Sequence, residues 1–134
     1  MTASPATENT HTLAPHARPT LDSGQRQQFA SGMLREAQPH RPRFDLLVPK
    51  DLPFEDQLLT RCAVLMSKGA AKYADRNWEN ANSEAEMERM KAGAFRHFMQ
   101  WFVGETDEDH AAAVVFNIMA VETTATKMAR AQRP

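Results

Sequence analysis

The sequence contains a single cysteine, Cys62, among its 134 residues. One cysteine excludes an internal disulfide and a zinc site built from several thiolates. Long hydrophobic runs are also missing, because the longest, at 111–116, is far shorter than the ~20 residues that a membrane-spanning helix needs. The N-terminus is polar and carries no apolar signal core. We therefore expect a soluble cytoplasmic protein with no membrane contact.

Neither sign of charge predominates, because 16 Lys and Arg residues oppose 17 Asp and Glu residues. Proteins that bind nucleic acid or anionic membranes directly are usually far more basic, so direct nucleic-acid binding is not expected. Hydrophobic residues make up 42% of the chain. This fraction is enough to build a core and too high for a fully disordered protein.

Proline is nearly absent from the second half of the chain, since seven of the eight prolines lie at or before Pro53. Residues 1–21 are rich in Thr, Ser, Pro and Ala, and we predict a flexible tail there. Residues 22–53 hold short apolar stretches between glycines and prolines. We predict that they form an ordered arm on the core, in which Asp22 and Ser23 could cap a short helix at 25–29, although Gly24 and Gly32 disfavour it. One domain would then cover 22–134.

From Leu52 onward, apolar residues recur with the period of a helix. They predict three helices, at about 54–73, 83–104 and 106–130. Ser83 with Glu86, and Thr106 with Asp109, have the spacing of a capping box, which supports the starts of the second and third helices. No segment shows the alternation that is typical of a strand.

Three helices provide only a thin core, and apolar side chains lie on more than one side of the second and third helices. We therefore predict an all-α fold, a small helix bundle with three main helices and an N-terminal arm, completed by homo-oligomerisation into a homodimer or homotetramer. The alternative is a monomer in which the arm covers the same surface.

Lys72, Tyr73, Arg76, Asn77 and Trp78 lie close together at the end of the first predicted helix. Cations at these positions could hold phosphates, while the aromatic rings could stack on a base. The alternative is structural, because the helix dipole favours cations at a helix C-terminus and a Trp side chain can pack on the core.

Two polar groups interrupt the apolar faces of the second and third helices. His97, next to Arg96, is a candidate for acid–base chemistry or phosphate binding. A buried, hydrogen-bonded histidine is the alternative. Asn117 lies within the apolar third helix, where a buried amide must find a partner. It is a candidate for reading the edge of a base.

An acidic turn joins the second and third helices. Four acids and one histidine lie between Glu105 and His110. Carboxylate oxygens suit Mg²⁺, so Glu105, Asp109 and His110 are the candidate metal ligands. The alternative is helix capping, because the dipole favours acids at a helix N-terminus without any ligand.

Several short segments occur together and in one order. They are DSGQR at 22–26, RFDLL at 43–47, GAAKY at 69–73, DRNW at 75–78, RH at 96–97, DEDH at 107–110 and FN at 116–117. In these segments, the chain resembles small phage proteins described as dATP/dGTP diphosphohydrolases, relatives of the MazG-like all-α nucleoside triphosphate pyrophosphohydrolases. The similarity covers about 22–122. It implies an oligomeric, all-α, Mg²⁺-dependent enzyme that hydrolyses nucleotides, in the host cytoplasm if a phage encodes it.

The resulting hypothesis is Mg²⁺-dependent hydrolysis of purine deoxynucleoside triphosphates, with residue roles assigned from side-chain chemistry. The predicted metal ligands are Glu105, Asp109 and His110; the catalytic residues are Lys72, Arg76 and His97; the substrate-binding residues are Arg35, Arg43, Tyr73, Asn77, Trp78, Arg96 and Asn117. The alternative is a non-catalytic helical module that binds a nucleotide or a partner protein.

Overall fold

The computed structural model describes residues 22, 24–37 and 41–133. The predicted tail at 1–21 lies outside the described residues. The chain divides into two compact units, Met1–Pro42 and Arg43–Pro134. Three helices make up most of the second unit, which confirms the prediction of a mostly helical protein.

The first unit contains a small antiparallel sheet with two strands, β1 (Arg26–Gln28) and β2 (Leu34–Glu36). The turn between them includes Gly32 at φ 91°, a conformation that a residue with a side chain rarely adopts. The predicted helix at 25–29 is therefore wrong, and so is the expectation that no strand forms. Both strands are mostly exposed and polar, so they lack the apolar alternation that predicts a strand.

The second unit is built from three helices. They are α1 (Leu58–Lys72), α2 (Glu84–Phe102) and α3 (His110–Ala131). Two 3-10 turns, Phe44–Leu47 and Phe54–Asp56, precede α1, and a third, Asn77–Asn80, lies between α1 and α2. The second of these turns occupies the beginning of the first predicted helix, so α1 starts later than expected.

The start of α2 is capped as the sequence predicts. The Ser83 hydroxyl accepts a hydrogen bond from the Glu86 N–H at 3.2 Å. The Glu86 carboxylate reaches back and accepts one from the Asn82 N–H at 3.0 Å. This bond lowers the pKa of Glu86. Two N–H groups at the helix end are satisfied in this way.

The expected start of α3 at Thr106 is wrong. Asp109 is the N-cap, and its carboxylate accepts a hydrogen bond from the Ala112 N–H at 3.1 Å. The helix therefore begins at His110. Thr106 and Asp109 are both good capping residues, so the local sequence alone does not decide between them.

α3 is the central helix and packs against both α1 and α2. Its buried side chains include the small residues Ala112, Ala113 and Ala120. On the facing side of α2, a Cβ atom at Gly93 would come within 3.2 Å of Asn117 Oδ1. Small side chains thus let the two helices approach closely, which leaves little room for large apolar residues between them.

Many large apolar side chains of this unit remain exposed instead. They include Phe95, Phe98 and Phe102 on α2 and Ile118 and Met119 on α3, with Phe95 68% exposed. Phe95, Phe98 and Ile118 line one groove, and exposed apolar surface of this kind is typical of a surface that binds another protein. No described helix combines the length and the apolar character that crossing a membrane requires.

Candidate functional site

A polar cleft of about 510 Å³ lies beside α1, the end of α2 and the turn before α3. It is lined by Arg61, Lys68, Trp101 and residues 105–111. Gly104 follows the end of α2 with φ 85°, a left-handed conformation that glycine adopts without strain. The chain therefore reverses sharply here, and the acidic turn is placed beside the last turns of α2.

This reversal brings two histidines together. His97 on α2 and His110 on α3 are both buried, and their Nδ1 atoms lie 2.9 Å apart. His110 Nε2 lies 2.7 Å from an Asp107 carboxylate oxygen, and His97 Nε2 lies 3.3 Å from Arg96 Nη2. The four side chains form one hydrogen-bonded series, Arg96–His97–His110–Asp107.

The direction of each hydrogen bond follows from the two ends of the series. A guanidinium can only donate, so Arg96 donates to His97 Nε2. A neutral His97 then carries its proton on Nδ1 and donates to His110 Nδ1. His110 carries its proton on Nε2 and donates to the Asp107 carboxylate. Two neutral imidazoles, each in a single tautomer, thus provide a donor and an acceptor for every hydrogen bond of the series.

The surroundings of His97 and Asp107 agree with this pattern of hydrogen bonds. Burial lowers the pKa of His97, and the Arg96 guanidinium lowers it further. The pKa of Asp107 is lowered because its carboxylate accepts the hydrogen bond from His110. His97 is therefore held neutral while Asp107 is held ionised.

Arg96 also begins a second hydrogen-bonded series along α2. Its Nη1 atom donates to Gln100 Oε1 at 2.9 Å. Gln100 Nε2 in turn donates to Glu105 Oε1 at 3.0 Å. One guanidinium therefore orients both Glu105 and, through His97, His110. This network links Arg96, a predicted substrate-binding residue, to two predicted metal ligands.

Two groups of side chains in this region could hold a metal ion. One comprises Glu105, Asp107 and His110, and the other comprises His97, Glu108 and His110; in each group, the ligand atoms lie within 4.8 Å of one another. All three members of the first group line the cleft, whereas His97 does not. The first group is therefore the one that a ligand in the cleft can reach.

Asp109, a predicted metal ligand, belongs to neither group. Its two carboxylate oxygens accept hydrogen bonds from Arg61 Nη2 at 2.7 Å and Nε at 2.8 Å. These bonds lower the pKa of Asp109. Together with the cap of α3, they give this carboxylate a structural role in holding the helices together.

His97, a predicted catalytic residue, faces His110 and does not line the cleft. This placement favours a role in orienting His110 over direct contact with a substrate. The other predicted catalytic residues, Lys72 and Arg76, also lie away from the cleft lining. Lys72 ends α1, about 16 Å along the helix axis from Arg61. Their catalytic roles stay predictions.

The aromatic residues of the same predicted cluster make local contacts. The Lys72 ammonium lies 5.4 Å from the centroid of the Tyr73 ring. The Trp78 ring packs edge-on against Phe116 of α3, with centroids 6.1 Å apart. Trp78 and Asn77 line a separate cleft of about 420 Å³ near the start of α2. Base stacking by Tyr73 or Trp78 remains a prediction.

Three further predicted substrate-binding residues are also placed. Asn117 is half-buried, and its amide donates to the Ala113 carbonyl at 2.8 Å. Arg43 forms an ion pair with Asp45 at 2.7 Å. Arg35 lies on β2 in the first unit. Their roles in substrate binding remain predictions.

The sequence reasoning missed several residues that the cleft brings together. The apolar periodicity of the first helix does not single out Arg61. Nothing in the local sequence distinguishes Asp107 from the other three acids of the turn. His97 and His110 are separated by 13 positions, and only a sharp turn between their helices pairs them. Gly104 is the signal for that turn.

A family model described as dATP/dGTP diphosphohydrolase, N-terminal, matches residues 31–133. No curated protein and no solved structure shows significant similarity to the chain. The matched residues include α1, α2, α3 and the whole polar cleft.

Proposed function

The chain belongs to the dATP/dGTP diphosphohydrolase N-terminal family, and from this premise we propose that it hydrolyses purine deoxynucleoside triphosphates with the help of Mg²⁺. The polar cleft is the proposed active site. Glu105 and Asp107 would hold the metal ion, with Asp107 in the place that the sequence analysis gave to Asp109, and His110 would orient Asp107 through its Nε2–H.

The observation that carries this proposal is the placement of His110. Its side chain is 1% exposed, and its Nε2–H donates to the Asp107 carboxylate, which lies at the cleft near Glu105. Carboxylate oxygens suit Mg²⁺ and Mn²⁺. The donor set therefore fits a divalent cation of the kind that accompanies a triphosphate.

A bound Mg²⁺ would neutralise charge on the triphosphate and make a water molecule more acidic. The protein's own groups hold the arrangement: Arg96 orients His110 through His97, and Glu105 through Gln100. Glu108, another carboxylate of the cleft, would accept a proton from the attacking water. The water oxygen then bonds to phosphorus as the anhydride oxygen leaves.

Turnover in the presence and absence of metal tests this proposal. The full-length protein is incubated with dATP, dGTP and the matching ribonucleotides, with either Mg²⁺ or EDTA, and the products are separated by chromatography. We expect hydrolysis of the purine deoxynucleotides with Mg²⁺ and none with EDTA. Nucleotide binding that ignores Mg²⁺, with no turnover, would instead identify a non-catalytic binding module.

We further propose that a second copy of the chain covers the exposed face of α2 and α3. This face contains a groove of about 300 Å³ whose apolar lining includes Phe95, Phe98 and Ile118. Lys91 and Glu122 also line the groove and carry opposite charges. In a two-fold dimer, each contact is made twice with the roles exchanged, so Lys91 of one copy can meet Glu122 of the other.

A further inference from the structure

Lys68 and Trp101 are among the side chains of the polar cleft that take no part in the hydrogen-bonded series around Arg96. Lys68 lies on α1, and Trp101 lies on α2. Trp101 is 52% exposed, with its ring centroid 5.6 Å from that of Phe98. Both side chains are therefore accessible to a molecule in the cleft.

The charge balance of the cleft singles out Lys68. The other cation of the lining, Arg61, is already paired with Asp109. Among the residues that the structure describes, no carboxylate lies within ion-pair distance of the Lys68 ammonium group. Lys68 is thus the cleft cation that remains available to an anion.

The position of Trp101 is the second observation. A large indole ring half-exposed beside several charged side chains leaves much of its apolar surface in water. Such a ring favours binding of a planar group that covers it, as a nucleobase does when it stacks on an aromatic side chain. The cleft volume, about 510 Å³, falls within the range of small-molecule sites.

We propose that Trp101 and Lys68 bind the nucleotide in this cleft, with the base stacked on Trp101 and a phosphate held by Lys68. The inference rests on the proposed function for the identity of the ligand, a purine nucleoside triphosphate. A stacking ring, a free ammonium group and a metal-binding group in one cleft match the base, the phosphates and the phosphate-bound cation of that ligand.

Tryptophan fluorescence distinguishes this site from the cleft that contains Trp78. The chain has two tryptophans, so Trp78→Phe leaves Trp101 as the only one, and Trp101→Phe leaves Trp78. Each full-length variant is titrated with dATP, dGTP and inorganic tripolyphosphate, with calorimetry as the measure of binding. We expect the deoxynucleotides to quench Trp101 and leave Trp78 unchanged, and tripolyphosphate to quench neither strongly. Quenching confined to Trp78, or no change in either variant, would overturn the proposal.

Affinity measurements test the two side chains separately. Lys68→Met removes the charge and keeps the length, and Lys50→Met is the matched control on an exposed lysine outside the cleft. We expect Lys68→Met to weaken binding of dATP and of tripolyphosphate alike, and Trp101→Ala to raise the Kd of dATP about fivefold or more. Trp101→Phe should restore most of that affinity. Equal affinities in Lys68→Met and Lys50→Met would contradict the phosphate role.

Failure of this inference differs from failure of the proposed function. If nucleotides quench Trp101 fluorescence and are not hydrolysed, the result would support the binding site and contradict the proposed enzymatic activity. Hydrolysis of the nucleotides with no change in Trp101 fluorescence, and with an unchanged KM in Lys68→Met, would support the enzymatic activity and contradict this binding site.

Discussion

Arg61 and Asp109 form a two-pronged ion pair between residues 48 positions apart, with nitrogen–oxygen distances of 2.7 and 2.8 Å. The pair ties the first turn of α1 to the N-cap of α3. Because both Asp109 oxygens are engaged in this contact, and one also caps α3, the carboxylate is committed to the fold. Neither Glu105 nor Asp107 caps a helix or pairs with an arginine among the described residues.

Replacing Asp109 should therefore change stability more than turnover. Asp109→Ala removes a helix cap, worth about 0.5–2 kcal/mol, and a partly exposed ion pair, worth at most about 1 kcal/mol. We expect denaturant unfolding to show a loss of about 1–2 kcal/mol, with turnover per folded molecule unchanged. Arg61→Met should lose part of the same energy. If Asp109→Ala kept wild-type stability and lost turnover, Asp109 would instead be assigned as a metal ligand.

Asp107→Asn should show the opposite behaviour. The amide keeps the shape of the side chain and removes the negative charge that a divalent cation needs. We expect turnover of dATP with Mg²⁺ to fall by at least about 100-fold, while the melting temperature stays close to wild type. Thr106→Ala, in the same turn, is the control for disturbance of the backbone. Full activity in Asp107→Asn would exclude this carboxylate as a ligand.

Arg96 is expected to act through the residues that it orients. Arg96→Met leaves His97 without its donor and releases Gln100, so both His110 and Glu105 lose their positioning. We expect the Mg²⁺ concentration for half-maximal turnover to rise about 10–100-fold, the usual range for partners of metal ligands. Arg89→Met is the matched control, since Arg89 is an exposed arginine of the same helix. Similar metal dependence in both variants would assign Arg96 a different role.

The buried histidine pair predicts a pH dependence of stability. Because the pKa of His97 is lowered in the folded protein, protonation favours the unfolded chain. This contribution is fully present above the ordinary His pKa of about 6.5 and is lost as the pH falls through the lower folded pKa. We expect the melting temperature to fall between about pH 7 and 5. His97→Asn should reduce the dependence of the melting temperature on pH. Parallel curves of melting temperature against pH for the wild type and the variant would contradict the assignment of this dependence to His97.

The apolar face of α2 and α3 predicts a concentration-dependent mass. Light scattering should give a multiple of 15.1 kDa for the wild type. Ile118→Glu places a charge in the groove and should shift the mass toward the monomer. Val64→Glu changes an exposed apolar residue of α1 and is the control. A monomeric wild type at micromolar concentration would contradict the proposed oligomer.

The sequence predicts the helices of the second unit well, because their signals are local. The periodic apolar residues locate α1 and α2, and the spacing of Ser83 and Glu86 locates the first turn of α2. The start of α3 is harder, since Thr106 and Asp109 both suit a cap. The contact with Arg61 favours Asp109, and a partner 48 positions away cannot be read from local sequence.

The candidate site is only partly predictable for the same reason. The acidic turn and His110 stand out in the sequence, and the resemblance points to nucleotide chemistry. The sequence places His97 on the second helix and does not reveal its neighbour on the third. Its contact with His110 depends on how tightly the chain reverses after Gly104. The sequence does not predict β1 and β2, because their side chains are mostly polar and exposed and apolar alternation is therefore absent.

The short separation between His97 and His110 has a consequence for how the chain folds. Residues 13 positions apart close a small loop, at a lower entropic cost than the 48 positions between Arg61 and Asp109. Local contacts of this kind also form quickly. We therefore expect α2 and α3 to pack together first and to assemble the proposed metal-binding group. The later arrival of α1 then adds the side of the cleft that carries Lys68.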